Sequence, residues 1–424
     1  MEEKMSFIKT PVKGMRDCLP ADMLLRQKVM GMIRETYGTY GFSEIETPAM
    51  EHIENLTSKQ GGENEKLIFK IQKRGEELEK AIQQGGETCD SGLRYDLTVP
   101  LARYYANNAD KLPMPFKALQ IGSVWRADRP QKGRFRQFTQ CDIDILGENS
   151  IMAEIELIAA TTAALSRIFE QIGIRKFTVH ISDRHILRGM AHYAGFAEED
   201  YGDVFIILDK FDKIGLEGIR KELTEKGYDP EAIERYISLF AQENDGKSCK
   251  GFCEKLLDGH MEAKYAEDLD TVLTCARAMV REGVEVVFDP TLVRGMGYYT
   301  GTIFECTLDG YGFAIAGGGR YDQMIGKFSG VEVSACGFSI GFERIITILM
   351  DHLEELKTEQ GQKRAFLVEK GAGGEKLTEV FRQAQELRNA GMTVTVQTRR
   401  KNAKMQKEKL AEEGYTEITE VFNR

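Results

Sequence analysis

The chain has 424 residues, of which 42% are hydrophobic and 29% are charged, and its formal net charge is −10. This length exceeds what one hydrophobic core usually organises, so we expect two or three domains. The acidic balance argues against non-specific nucleic-acid binding, which depends on neutralising many phosphates. It leaves room for a local basic patch that docks one structured RNA.

Membrane and secretion signals are missing from the sequence. No stretch approaches the roughly 20 consecutive apolar residues that a membrane span needs. The first residues lack the apolar core of a signal peptide and are too acidic for a transit peptide. We therefore expect a cytoplasmic protein with no membrane association.

Eight cysteines are dispersed along the chain, and only Cys249 and Cys253 lie close together. No second cysteine or histidine pair accompanies them at the spacing of a zinc site. The six histidines show no ligand pattern either. We expect reduced structural thiols and no metal site made by these side chains.

The first half of the chain predicts helices that alternate with short strands. Apolar side chains recur at three- and four-residue spacing where helices are expected, and Pro48 stops an early strand. The predicted elements are a helix over 21–38, a strand within 41–48, a polar loop or hairpin at 59–92, strands at 119–125 and 141–146, a helix over 151–172 and a strand at 176–181.

The second half predicts a helical block inside a β-rich region. Residues 185–283 carry helical spacing with little β-branched alternation, so a helical insertion is the simplest interpretation. Strands separated by glycine clusters return over 284–350, and a strand then runs into a helix near Arg344. A charged linker at 351–363 precedes a small domain of alternating strands and helices at 364–424.

A basic loop joins the strands at 119–125 and 141–146. Its cationic residues are Arg126, Arg129, Lys132, Arg134 and Arg136. A planar guanidinium binds phosphate oxygens in bidentate fashion, and an arginine at a strand end is held more rigidly than one on a free loop. Taken alone, the loop is explained equally well as a solvated basic hairpin.

Three further clusters are candidate ligand sites. Glycines beside tyrosines at 292–301 suggest a backbone that a small polar ligand approaches closely, with a glycine-rich turn as the alternative. The glycine triplet at 317–319 is a weaker signal, since such triplets are often plain turns. Arg344, on the first turn of a helix, is either an anion ligand or a surface ion-pair partner.

These segments together resemble a known family. Residues 41–48, 124–138 and 337–344 resemble motifs 1, 2 and 3 of class II aminoacyl-tRNA synthetases. Two stretches are similar to histidyl-tRNA synthetases in particular: LVRGMGYYTGTIFE at 292–305 and AGGGRYD at 316–322. LRYDLTVP, at 93–100, resembles the segment of the eukaryotic-type branch. The resemblance covers most of 8–350, with all five motifs in family order.

The resemblance implies an α+β fold in which helices flank an antiparallel sheet, with a helical insertion and a small C-terminal α/β domain. Motif 1 implies a homodimer. The implied domains are the first part of the catalytic domain at 1–184, the helical insertion at 185–283, the second part of the catalytic domain at 284–350, a linker at 351–363 and a shortened anticodon-binding-like domain at 364–424.

The resemblance also implies how ATP is bound. Arg126 would contact the α-phosphate and Arg344 the γ-phosphate, with Asp128 and Glu343 also in the ATP site. Arg294 would stabilise the pentavalent phosphorus, which makes Arg126 and Arg294 the catalytic pair. Developing negative charge requires cations that are already in place. Mg2+ would accompany ATP, and no ligand residues for it are evident beyond the acidic side chains of motif 3, Glu343 among them.

For histidine, the resemblance implies that Asp96 and Asp144 hold the α-ammonium, while Tyr299 and Tyr321 meet the imidazole, whose nitrogens need a donor and an acceptor. Asp142 is expected on the opposite face of its strand. The full implied histidine site is Asp96, Leu97, Thr98, Arg126, Gln140, Asp144, Arg294, Tyr298, Tyr299 and Tyr321. The implied contacts to the tRNA acceptor end are Arg129, Gln131, Lys132 and Arg134.

Two departures from the family pattern stand out. Gly297 replaces the usual Asp or Asn before the tyrosine pair, which could loosen the histidine pocket. The chain stops at Arg424, before the family's anticodon-binding domain ends. Basic residues in this tail could still touch RNA, and a solvated helix face is the equal alternative.

The implied function is a histidine–tRNA ligase that joins L-histidine to ATP and then to tRNA(His). One alternative is a non-catalytic histidine sensor that resembles the regulatory subunit of ATP phosphoribosyltransferase. Another is a ligase-like enzyme with an acceptor other than tRNA. The presence of Arg126, Arg294 and Arg344 favours the ligase, because a full set of phosphate-binding arginines without chemistry would be unusual.

Overall fold

The computed structural model describes residues 7–57, 64–129, 135–240, 246–293, 299–354 and 362–423. The chain divides into two compact units, Met1–Glu355 and Leu356–Arg424. None of the helices in these ranges is long and apolar enough to cross a bilayer.

Strands occur in both units. In chain order they are β1 (Ser43–Glu44), β2 (Met50–His52), β3 (Lys70–Gln72), β4 (Cys89–Leu93), β5 (Phe116–Trp125), β6 (Gln137–Leu146), β7 (Phe177–Asp183), β8 (Val284–Phe288), β9 (Thr302–Thr307), β10 (Ala314–Arg320), β11 (Ala335–Ile340), β12 (Lys363–Val368), β13 (Thr393–Thr398) and β14 (Glu417–Val421).

The helices are α1 (Pro20–Thr39), α2 (Ile53–Thr57), α3 (Gly75–Gln84), α4 (Thr98–Asn108), α5 (Met152–Phe169), α6 (Arg184–Ala194), α7 (Tyr201–Leu208), α8 (Phe211–Glu225), α9 (Pro230–Phe240), α10 (Lys250–Cys253), α11 (Ala263–Met279), α12 (Gln323–Ser329), α13 (Phe342–Asp351), α14 (Gly374–Asn389) and α15 (Ala403–Glu412).

The first unit is organised by an eight-stranded sheet in the order β1-β5-β6-β11-β10-β9-β7-β8. The five inner pairings are antiparallel, whereas the outermost pairs, β1 with β5 and β7 with β8, are parallel. The predicted α+β class is confirmed, with a sheet that is mixed rather than purely antiparallel.

The glycine triplet at 317–319 lies inside strand β10 and is not a turn. Its neighbours leave little room for side chains: a β-carbon on Gly318 would lie 2.1 Å from the carbonyl oxygen of Gly337, and one on Gly319 would lie 2.6 Å from that of Thr302. Glycine therefore permits close approach of adjacent strands here.

One of two further predicted regions differs in detail from the structure and the other agrees with it. The polar region 59–92 contributes β3, α3 and most of β4, and β4 pairs with both β2 and β3 in a three-stranded sheet ordered β2-β4-β3. The helical character predicted for 185–283 is confirmed, because α6 to α11 lie between β7 and β8 along the chain.

The second unit is a parallel three-stranded sheet, ordered β13-β12-β14, with α14 and α15. Alternate residues of β12 enter two small cores: Phe366 and Val368 pack with Val380, whereas Ala365 and Leu367 pack with Leu410. This alternation is that of a strand covered on both faces, and it confirms the predicted small α/β unit.

Candidate active site

Strand β6 directs Gln140, Asp142 and Asp144 to one face of the large sheet. Residues two apart on a strand share a face, so the expectation that Asp142 points away from Asp144 was wrong. Both carboxylates are buried, with 5% of Asp142 and 4% of Asp144 exposed.

Asp144 lies at one end of a row of two glycines from neighbouring strands, Gly337 and Gly319, which we call the glycine floor. The Tyr321 hydroxyl donates a hydrogen bond to its Oδ1 at 2.5 Å. Beneath it, Gly337 is the partner of Asp144 in strand β11, and a β-carbon on that glycine would lie 2.1 Å from the same oxygen. The pairing of Gly337 with Gly319 extends the floor into β10.

Asp142, two residues before Asp144 on the same face of β6, accepts hydrogen bonds from neutral side chains. The Ser339 hydroxyl donates to its Oδ1 at 2.5 Å, and the Gln140 amide donates to its Oδ2 at 3.3 Å. The same amide nitrogen lies 3.3 Å from the Ser339 hydroxyl, and the Gln140 carbonyl oxygen is buried without a hydrogen-bond partner among the described atoms.

Burial raises the pKa of both carboxyl groups. Loss of water, with the charge of Asp144 close by, raises the pKa of Asp142 to about 8 although Ser339 opposes the shift. Loss of water raises the pKa of Asp144 to about 7 against the lowering effect of Tyr321. The charge of Asp96 contributes to raising both pKa values. A cation in this pocket would favour their ionised forms.

Asp96, Leu97 and Thr98 lie at the start of helix α4. The Asp96 carboxylate accepts the backbone N–H of Val99 at 3.0 Å, Leu97 is buried, and Thr98 is the first helical residue. Burial raises the pKa of Asp96, and the nearby Arg126 opposes this shift. A carboxylate at a helix N-terminus is favoured by the unpaired N–H groups there.

Arg126 follows directly after β5 and is held between two rings. Its guanidinium carbon lies 4.2 Å from the Tyr95 ring centroid and 5.1 Å from that of Phe138, and its Nε donates to the Tyr95 carbonyl at 3.1 Å. Its backbone N–H donates to the Arg136 carbonyl at 2.9 Å, which closes the base of the loop. The cation is therefore fixed in place.

Asp128 and Arg129 begin that loop. The Asp128 carbonyl oxygen accepts from Arg136 Nε at 3.1 Å, and Arg129 is exposed. The loop predictions Gln131, Lys132 and Arg134 lie outside the described residues, as do Arg294, Tyr298 and Gly297. Tyr299 is described, and its ring lies beside Gly319 of the floor.

Arg344 and Glu343 occupy the first turn of α13, as predicted, but their surroundings differ. Arg344 Nη1 donates to the Ala314 carbonyl at 2.5 Å, and its guanidinium carbon lies 5.5 Å from the Phe313 ring centroid. Glu343 is buried and already accepts hydrogen bonds from Arg16, Arg26 and the backbone N–H of Thr139.

Sequence reasoning overlooked several of these residues. Asp142 was recoverable from strand alternation, which places it beside Asp144. Ser339 and Gly337 had no such signal, because their roles depend on the register between β6 and β11. Arg26 looked like one more polar position on a helix, and nothing local linked it to Glu343, which lies 317 residues away.

Comparisons with known proteins point to one family. A sequence model of the family described as histidyl-tRNA synthetase matches residues 14–345. The histidine–tRNA ligase of Leifsonia xyli subsp. xyli is 42% identical over 424 residues, covering 96% of this chain and 94% of that protein. The histidine–tRNA ligase of Bacteroides fragilis (strain YCH46) is 42% identical over 350 residues, covering 80% and 75% respectively.

Solved structures of related proteins are similar to this chain as well. The histidyl-tRNA synthetase from Nostoc sp. PCC 7120 is similar with a TM-score of 0.78 at 28% identity, covering 96% of this chain and 90% of that one. An ATP phosphoribosyltransferase regulatory subunit/histidyl-tRNA synthetase from Bacillus halodurans C has a TM-score of 0.76 at 22% identity, covering 99% and 100%, and shows a shared fold alone. With the family match and the curated relatives, the chain belongs to the histidyl-tRNA synthetase family.

Proposed function

We propose that this chain activates L-histidine with ATP, forming histidyl-adenylate and pyrophosphate, and then transfers the histidyl group to tRNA(His). Use of ATP follows from membership of the family. The observation that carries the proposal is the pair of buried carboxylates, Asp142 and Asp144, on a glycine floor beside Asp96 and the ring-clamped Arg126. Such a site suits an amino acid whose ammonium group enters among acids and whose carboxylate meets a fixed cation.

In this proposal Asp96 and Asp144 bind the α-ammonium of histidine. Tyr321, which donates to Asp144, lines the pocket with Tyr299, where the imidazole is expected. The remaining members of the histidine site are Leu97, Thr98, Gln140, Arg126, Arg294 and Tyr298.

The activation step is attack of the histidine carboxylate on the α-phosphorus of ATP, with pyrophosphate leaving. Arg126 and Arg294 are the catalytic residues, because they would neutralise the charge that builds on the α-phosphate. Arg344 binds the γ-phosphate and Asp128 also contacts ATP. The 3′-terminal hydroxyl of the tRNA then attacks the carbonyl carbon of the adenylate and AMP leaves, while Arg129, Gln131, Lys132 and Arg134 contact the acceptor end.

Mg2+ is proposed to arrive with ATP, bound to the phosphate oxygens as is usual for this ion. Glu343, an acidic side chain of motif 3, does not fit a metal ligand in this arrangement. Both of its oxygens accept hydrogen bonds from arginines. No grouping of three or more His, Cys, Asp or Glu side chains suited to a metal occurs within the described ranges. We therefore assign no residue to Mg2+.

The test is histidine-dependent exchange of pyrophosphate into ATP, followed by charging of a tRNA(His) transcript. Both activities are expected. Exchange without charging would point to a different acceptor, and histidine binding without either activity would point to a sensor. The names of the curated relatives do not favour the sensor.

Arg294→Ala provides the residue-level test of the mechanism. We expect exchange to be abolished while the thermal unfolding midpoint stays that of the parent chain. Unchanged exchange would remove Arg294 from the catalytic pair.

We further propose a homodimer formed through motif 1. In support, β1 lies at the edge of the large sheet, and Ser43 and Glu44 on it are exposed. Light scattering coupled to size exclusion tests this, and a monomeric mass at micromolar concentration would contradict it. We also propose that the protein is located in the cytoplasm.

A further inference from the structure

Glu343 is the centre of a four-residue contact that we call the Glu343 cluster: Arg16, Arg26, Thr139 and Glu343. Its Oε2 accepts from Arg26 Nη1 and Arg16 Nη2, each at 2.7 Å. Its Oε1 accepts from Arg26 Nη2 at 2.8 Å and from the Thr139 backbone N–H at 3.2 Å. Each oxygen thus has two donors, so the carboxylate is occupied by protein groups.

Besides its ion pair with Glu343, Arg26 contacts Thr139 and Phe342. It comes from helix α1, is only 8% exposed, and its Nη2 also donates to the Thr139 hydroxyl at 3.0 Å. Its guanidinium carbon lies 4.8 Å from the centroid of the Phe342 ring. One planar group therefore contacts two consecutive residues of α13 and one residue of β6.

The place of Thr139 in the sheet explains why its N–H needs this partner. Strand β11 ends at Ile340, which pairs with Cys141, so β6 continues beyond its neighbour. The Glu343 carboxylate takes the N–H of Thr139 where β11 no longer reaches it. The next residue of β6 is Gln140, and the residue after Glu343 is Arg344.

We infer that Arg26 is a positioning residue for ATP, which acts through Glu343 to set the place and direction of Arg344. This inference rests on the proposed function, in which Arg344 binds the γ-phosphate. A bidentate guanidinium–carboxylate pair fixes orientation as well as distance. Arg26 holds the first turn of α13 against β6, and Arg344 leaves that turn toward Ala314.

Arg16 adds a second connection to the cluster. Its guanidinium carbon lies 4.4 Å from the Phe135 ring centroid, at the end of the basic loop, while its Nη2 reaches Glu343. The backbone carbonyl of Gly14 also accepts the N–H of Arg136 at 2.8 Å. The segment before α1 thereby joins the base of the loop to the start of α13.

The test is Arg26→Lys in the full chain, with Glu343→Gln as a second variant. Lysine keeps the charge but cannot make two parallel hydrogen bonds to one carboxylate while reaching Thr139. We expect kcat/KM for ATP in the exchange reaction to fall about tenfold or more, since small misplacement of a binding group has effects of this size. The KM for histidine should change far less, because Asp144 and Tyr321 lie outside the cluster.

The matched control is Arg34→Lys, on the same helix. Arg34 also donates to a carboxylate, that of Glu44 at 2.9 Å, but both side chains are more than two-fifths exposed. All kinetic constants should stay at parental values. An equal ATP defect in this control would overturn the inference.

Titration of ATP into each protein by calorimetry separates this inference from the proposed function. If the parent chain lacks exchange, the proposed function fails, yet weaker ATP binding by Arg26→Lys than by the parent still supports positioning. A lower unfolding midpoint with parental ATP affinity and KM would overturn it. Failure of both variants to fold would assign the cluster to stability alone and would also overturn it.

Discussion

At the scale of single residues, the hydroxyl of Tyr321 is the group that, in the proposed site, would prepare Asp144 for the α-ammonium of histidine. It donates to a buried carboxylate and lowers the pKa of that group against the effect of burial. In Tyr321→Phe the ring keeps its place in the apolar cluster with Leu101 and Ile325, but the donor is lost.

We expect this variant to fold normally and to raise the KM for histidine about tenfold or more, the usual scale for a hydrogen bond to a charged group. Pyrophosphate exchange at varied histidine measures the change. Tyr105→Phe is the control, because its hydroxyl lies in the same cluster against the Met114 sulfur at 3.9 Å. An unchanged KM in the Tyr321 variant would show that Asp144 does not depend on this donor.

The carboxyl pair also predicts how stability depends on pH. Folding raises the pKa of Asp142 from 3.8 to about 8 and that of Asp144 from 3.8 to about 7. The folded state therefore holds protons that the unfolded state releases, so the free energy of unfolding decreases as pH rises across this interval.

We expect the unfolding midpoint of the ligand-free chain to fall between about pH 5 and about pH 8, and Asp142→Asn to flatten this slope. Calorimetric scans across that range make the measurement. L-histidine should recover more stability at the alkaline end, where the carboxylates are ionised before it binds. A slope that the Asn variant leaves unchanged would assign the effect to other groups.

Several residues of the proposed site could be named from the sequence. Asp96, Arg126, Asp144, Tyr321 and Arg344 were named by their motifs, and the structure places the first four around one stretch of β6 and its neighbours. Glu343 was assigned to ATP because a motif gives a residue's position along the chain and not its partner. The partner, Arg26, comes from a helix whose own pattern only indicates amphipathicity.

At the scale of elements, the floor of the site depends on β10 and β11 approaching each other and β6 without side chains between them. Gly337→Ala tests this. A β-carbon there would lie 2.1 Å from Asp144 Oδ1 and 3.2 Å from the Tyr321 ring, so the carboxylate must move.

We expect Gly337→Ala to lose at least about tenfold in kcat/KM for histidine, since a pocket tolerates little displacement of a binding group. Gly31→Ala in α1 is the control, because a β-carbon there meets nothing within 4 Å. Parental histidine kinetics in Gly337→Ala would mean that the floor can shift at no cost to binding.

Element prediction succeeded where one periodicity dominated and failed where sheet neighbours decided the conformation. The helices at 21–38 and 151–172 carry a repeating apolar face, and the structure has helices at both places. The triplet at 317–319 resembles a turn when read alone. It becomes a strand only because β9 and β11 flank it, and no local signal reports those neighbours.

At the scale of the whole molecule, each unit has its own apolar core. Among the described residues, the members of the cores around β12 all come from 365 onward. We expect a chain ending at Glu355 to fold and to retain histidine-dependent exchange, while charging of tRNA(His) is strongly reduced. Exchange and charging assays on this fragment and the full chain make the test, and a folded fragment without exchange would contradict it.

Strands β7 and β8 form the last pair at one edge of the large sheet and run parallel. The chain that leaves the C-terminal end of β7 must therefore cross back along the sheet before it enters the N-terminal end of β8. Helix α11 contacts β7, β8 and α5. It has 17 residues and is about 25 Å long, which is long enough to connect the opposite ends of the two strands. The helical block therefore has two parts. Helix α11 makes the crossover that the parallel strands require, and α6 to α10 precede it along the chain. A chain without the crossover would have no route from the end of β7 to the start of β8.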